Sequence, residues 1–127
     1  MIKIYGMRER LDPIKASLSD VINECMVTAL AYPQDKRAHR FFPMDAADFV
    51  YPTGRTDAYT VIEISMMEGR SASARKRLIH LLFERIESEL GIDPVDVEVV
   101  ILESPRENFG FRGMTGDEAK LDYDLNV

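Results

Sequence analysis

Arg70 is the residue of this chain best placed to do chemistry. It stands at the end of the run Tyr59-Thr-Val-Ile-Glu-Ile-Ser-Met-Met67, after the break Glu68-Gly69, and a long helical pattern begins at Ser71. A strand that ends in glycine, arginine and serine before a helix holds the guanidinium at a sheet edge. The unpaired N–H groups at the start of that helix lie nearby and favour anions. A guanidinium also offers two parallel donors to a carboxylate. The pattern therefore points to an anion-binding or catalytic site at Arg70. With 16 basic against 22 acidic residues and a formal charge of −6, a plain salt bridge to an acidic neighbour is the competing reading.

The same balance of charge argues against a nucleic-acid backbone as the main partner. It leaves room for a local basic pocket that takes a small carboxylate. The single Cys25 forbids an internal disulfide, and without a signal peptide a reducing cytoplasm is the expected location. No apolar run approaches the ~18 residues of a spanning helix, so no membrane partner is expected. His39 and His80 lack metal-ligand spacing to a second ligand, His80 reads as a surface residue, and Cys25 falls on a helical core stripe; no metal is expected. There is no glycine-rich phosphate loop, serine elbow or paired-carboxylate motif, so no nucleotide or other cofactor is expected. The seven methionines, Met66-Met67 among them, read as core filling.

The elements that must position Arg70 follow from periodicity. A chain of 127 residues, 46% hydrophobic and 30% charged, suits one soluble globular domain. Met1 to Gly6 alternates as a short strand with Ile2 and Ile4 on one face. Asp12-Pro13 reads as a helix start, with aspartate as the cap and proline in the first turn. Ile14, Leu18, Val21, Ile22, Cys25, Met26, Ala29 and Leu30 then repeat at helical spacing until Pro33. Ala38 to Met44 is a second strand, 45–48 a turn, 49–51 a short extended piece and 52–57 a polar turn. After the strand through Met67, Leu78, Leu82, Ile86 and Leu90 define a helix from Ser71 that Gly91 caps. Val95 to Glu103 is the fourth strand. Residues 105–116 are loop-like, and the acidic tail to Val127 is partly extended.

The order is strand, helix, strand, twice over, which divides a single domain 1–127 into β-α-β units of about 1–57 and 58–127. Crossovers of that length suit parallel pairing. The expected fold class is α/β: a two-layer sandwich with a four-stranded sheet and both helices on one face. Strands 61–67 and 95–102 are apolar on both faces, and two helices cover only one. The bare face predicts an oligomer packed through its sheets.

Specific runs sharpen this. Gly54-Arg-Thr-Asp-Ala-Tyr-Thr-Val-Ile-Glu-Ile64, Glu68-Gly-Arg-Ser71, and Val95 through Pro105-Arg-Glu-Asn-Phe-Gly-Phe111, set in a doubled β-α-β frame, resemble the tautomerase superfamily. They look like its longer-chain, malonate semialdehyde decarboxylase-like branch. Phe111 to Ala119 is similar to a bacterial tautomerase-like subgroup. The resemblance implies an MIF-like homotrimer with sites near each N-terminus, and an isomerase acting on a small 2-keto or enol carboxylate. It implies that Arg70 binds the carboxylate and that Phe109 and Phe111 wall the pocket, although core packing explains the two rings almost as well. The Asp35-Lys36-Arg37 turn falls where some relatives carry a catalytic aspartate; Lys36 becomes a candidate substrate ligand there, against the reading of a solvated loop. Arg55 and Asp57 belong to the branch signature and read as a turn or an inter-subunit salt bridge. His39 is at most a neighbour of the site.

One departure matters. Enzymes of this superfamily use an N-terminal proline as general base or acid. This chain begins Met1-Ile2-Lys3 and has no proline before Pro13. A bulky Ile2 should leave Met1 in place, which makes the nucleophile or base a primary α-amine, with an unperturbed pKa of about 7.7–8.0. Beside Arg70 or Lys36 that value falls, and the amine becomes a base at neutral pH or a Schiff-base former. Two functions stay open: an isomerase with Met1 and Arg70 as catalytic residues, or a catalytically inactive trimeric binding or structural protein on the same fold.

Overall fold

A computed structural model describes residues 1–127. Strand β1 (Ile2–Met7) leads into a one-turn helix α1 (Arg8–Leu11), a 3-10 turn (Asp12–Ile14) and the long helix α2 (Lys15–Leu30). Strand β2 (His39–Met44) follows, then β3 (Thr60–Met67), α3 (Ala72–Leu90) and β4 (Val97–Ser104). The sheet order is β2-β1-β3-β4. β1 and β2 are parallel, β3 and β4 are parallel, and β1 meets β3 antiparallel at the centre. Each long helix thus connects two parallel neighbours, as the length of the crossovers requires.

Alternation in the strands decides where the core sits. Ile2, Ile4, Ile62, Ile64, Met66 and Val97 point to one face and pack with Leu18, Ile22, Leu30, Leu78, Leu82 and Ile86 from the helices. Ser71 caps α3 by accepting from the Ala74 N–H at 3.1 Å. Gly91 closes the helix in the left-handed region at φ 69°.

Two details differ from the sequence expectation, at Asp12 and at residues 105–116, and two more are filled in. Asp12 is not a helix N-cap, because the chain turns helical four residues earlier and Asp12 closes that first turn; its carboxylate pairs with Lys15 at 2.7 Å. The 49–51 piece is extended at Phe49, with φ −136° and ψ 91°, and joins no sheet; Phe49 and Tyr51 pack their rings on Tyr59 at 5.5 and 5.6 Å. The 105–116 segment contains a hairpin, β5 (Gly110–Phe111) with β6 (Met114–Thr115). Its two-residue turn has positive φ at both Arg112 and Gly113, as a tight hairpin demands. The tail docks without pairing as a strand, burying Ala119 and Leu125.

The face without helices is mixed rather than apolar. Val100 and Leu102 are 39% and 49% exposed and Phe42 37%, with Tyr5 stacked on Phe42 at 4.9 Å. In register beside them stand Lys3, Glu63 and Glu98. No helix is long and apolar enough to cross a membrane.

Candidate active site

Register alone brings the chain's start to Arg70. Ile2 pairs with Ile64 in the β1–β3 ladder, so Met1 lies beside Ser65, a few residues before β3 ends at Met67 and the chain turns through Gly69 to Arg70. A cavity of about 490 Å³ opens at this point, between the 32–40 segment, the end of β3, the β5 hairpin and the tail. Met1, Lys36, Arg70, Phe109 and Phe111, scattered in sequence, all line it. Asp35 does not; it is exposed.

The cavity is basic in an acidic protein. Lys36, Arg37, Arg40, Arg70 and Arg112 line it with the Met1 amine, and no aspartate or glutamate does. Their pairing differs. Arg37 binds Asp20 at 2.7 Å. Lys36 binds Asp122 at 3.1 Å and lies over the Tyr123 ring at 5.8 Å, so it is engaged by the tail rather than solvated. Arg112 stacks over Phe111 at 5.1 Å.

Arg70 stands apart. It is only 5% exposed, and the salt bridge that competed for it is absent. Its Nη1 donates to the Met67 carbonyl oxygen at 3.1 Å, while its Nε is buried without a partner. A buried cation without a counterion carries a desolvation penalty that an incoming carboxylate relieves. The helix-terminus N–H groups that were to share this role are partly occupied, since the Ser71 N–H donates to the Val127 backbone oxygen at 3.0 Å.

The Met1 amine donates to the Ser65 carbonyl oxygen at 3.0 Å. Burial, and then the charges of Arg40 and Arg70, hold its pKa below the ordinary 8.0. Arg40 reaches Met1 through a contact from its guanidinium to the thioether sulfur. Burial with Arg37 and the N-terminal charge pushes His39 down to about 4, so a neutral imidazole borders the site, its Nδ1 2.7 Å from Ser19 Oγ. Phe109 and Phe111 are half-buried and belong to the cavity wall, outside the hydrophobic core.

Some expectations resolve elsewhere. Arg55 binds Glu98 at 3.3 Å and Asp57 binds Arg10 at 2.8 Å, both within the chain. Cys25 is fully buried, its thiol pushed up to about 11 by burial. His80 is exposed. Sequence reasoning missed Arg40, Tyr32, Leu121 and Tyr123. The alternation of β2 placed Arg40 opposite Lys3 and was a usable signal; the aperiodic tail gave none for Leu121 and Tyr123.

Known proteins share this arrangement of elements. A family model described as tautomerase enzyme matches residues 36–112. The probable tautomerase YusQ of Bacillus subtilis (strain 168) is 25% identical over 115 residues, 87% of this chain and 91% of that protein. A malonate semialdehyde decarboxylase structure, described for decarboxylase and hydratase activities, superposes with TM-score 0.80 at 26% identity, covering 90% of this chain and 92% of that one. A fused 4-OT structure, an asymmetric trimer, gives TM-score 0.80 at 25% identity over 91% of this chain and 95% of that one.

Proposed function

The chain belongs to the tautomerase enzyme family whose model matches residues 36–112, and from that premise we propose that it is an isomerase moving a proton on a small 2-keto or enol carboxylate. The single observation that carries this reading is the buried, counterion-free Arg70 in one cavity with an α-amine of depressed pKa. Arg70 holds the substrate carboxylate by charge-assisted hydrogen bonds. The neutral Met1 amine takes the enol O–H proton and delivers it to the far carbon of the C=C bond as the C–O bond becomes C=O, so no atom is gained or lost. Arg40, beside the amine, stabilises negative charge developing on the enolate oxygen. Phe109 and Phe111 keep water from that carbanion-like centre. Lys36 joins the carboxylate only when it releases Asp122.

We read the chain as one domain of two β-α-β units that assembles as a homotrimer. The partly apolar open sheet face supports this, as does the trimeric state of the fused 4-OT proteins it resembles.

The second reading is a trimeric binding protein without turnover. The observation in its favour is that the amine is primary and already donates to Ser65. The experiment combines intact mass, which reports whether Met1 is the mature terminus, with ketonisation of phenylenolpyruvate by wild type and Arg70→Ala. Turnover above buffer that falls in Arg70→Ala supports the isomerase. Equal, buffer-level rates in both leave the binding protein.

A further inference from the structure

The tail is held on the cavity at four separate points. Asp122 pairs with Lys36, the Tyr123 ring packs edge-on against Tyr32 at 5.4 Å, and Leu125 is buried. Its last contact is the Val127 backbone oxygen accepting from the Ser71 N–H. Two of these points flank Arg70 directly. Ser71 follows it, and before it Gly69 adopts φ +141° with the Leu125 carbonyl oxygen 2.9 Å from where a Cβ would stand. A side chain at 69 would strike the tail, so the backbone on both sides of Arg70 is shaped to receive it. Leu121 and Tyr123 form part of the cavity wall.

From this we infer that residues 119–127 are a specificity wall: Tyr123, latched by the Lys36–Asp122 pair, limits the size of the carboxylate that can reach Arg70. The inference deepens the proposed function and rests on Arg70 as the carboxylate ligand. Tyr123 touches Lys36 and Tyr32 rather than any reacting atom, so it acts by excluding volume. The latch is weak because of its surroundings: the Asp122 side chain is 70% exposed, and water screens an exposed pair. A ligand whose second acidic group reaches Lys36 would compete with Asp122 and loosen the wall, so larger substrates of that kind are admitted only by displacing it.

Arginine-directed dicarbonyls test access to Arg70 without needing a substrate. Wild type, Asp122→Asn and Tyr123→Ala are treated with butanedione (small) or phenylglyoxal (bulky), and peptide mass spectrometry reads Arg70 against the exposed Arg10 as internal standard. The expected result is a phenylglyoxal-to-butanedione ratio at Arg70 that rises about fivefold or more in Tyr123→Ala and less in Asp122→Asn. An unchanged ratio in both variants overturns the inference. Asp122→Asn alters one exposed side chain and keeps the fold, so a misfolded Tyr123→Ala does not decide the matter. Failure of the isomerase reading shows separately, as absent turnover in wild type, and leaves the labelling ratio standing.

Discussion

Met1 and Ser65 exchange two backbone hydrogen bonds: the Met1 amine donates to the Ser65 carbonyl oxygen at 3.0 Å, and the Ser65 N–H donates to the Met1 carbonyl oxygen at 2.9 Å. The pair extends the central antiparallel ladder by one step beyond Ile2 and Ile64. The α-amine is therefore placed by the sheet, with no flexible end to order on binding. A neutral primary amine has two N–H groups and one lone pair. One N–H on Ser65 leaves the lone pair free to take a proton in the cavity.

The first prediction is the pH dependence of that amine. Only the neutral form is a base, so kcat/KM for ketonisation rises with pH through an inflection below the ordinary 8.0 of an α-amine. Linkage gives the stability sign. The folded pKa is depressed, so the stability tied to this group is complete above the unfolded value and is lost as pH falls through the folded one. Acetylating the amine abolishes the inflection. A profile that is flat across neutral pH, and unmoved by acetylation, removes the amine from the mechanism.

Arg70 exchanges stability for binding. Replacing it with methionine removes a buried guanidinium whose Nε lacks a partner, and such a group costs about 1–3 kcal/mol. Arg70→Met is expected to melt a few degrees above wild type while carboxylate affinity falls roughly ten- to a hundredfold, the worth of a charged hydrogen-bonded contact. Calorimetry and titration with pyruvate measure the two sides. A variant that melts lower and binds as before shows Arg70 to be structural.

How far this was legible in the sequence follows the physics of each signal. The strands and long helices announce themselves by period: Leu78, Leu82 and Ile86 repeat at helical spacing, and all three are fully buried. Gly91 and Ser71 carry their own capping chemistry. The start of the first helix was misplaced because Arg8 to Leu11 has no cap, and Asp12-Pro13 imitates one. Arg70 was visible at a strand–helix junction, but its lack of a counterion depends on which acids fold nearby. Arg75, not Arg70, takes Glu103 at 3.1 Å, and no spacing rule predicts that choice. Tyr123 reaches the cavity through a tail with no period at all.

His39 should report on acid stability. Its imidazole is held neutral down to about 4, against an ordinary 6.5. The stability it contributes is complete above the unfolded value and disappears as pH falls through the folded one. Urea midpoints of wild type and His39→Asn should therefore converge between pH 6.5 and 4, and NMR of the wild-type ring should show no titration near neutrality. A ring that titrates close to 6.5 contradicts the burial assigned to it.

The open sheet face makes the last prediction. Val100 and Leu102 are exposed on β4, an edge strand of the sheet, and Glu63 stands in register with Val100. An apolar pair edged by charge is the composition of a face that packs on another subunit. Wild type should sediment as a trimer of 14.5 kDa chains. Leu102→Lys places a charge where the partner must approach, without touching the helix-side core, so helical circular dichroism should persist. The trimer should give way to smaller species, because burying an unpaired lysine opposes association by several kcal/mol. If Leu102→Lys stays trimeric, the contact lies elsewhere on the chain. A wild type that sediments as a monomer at micromolar concentration removes the case for an oligomer built on this face.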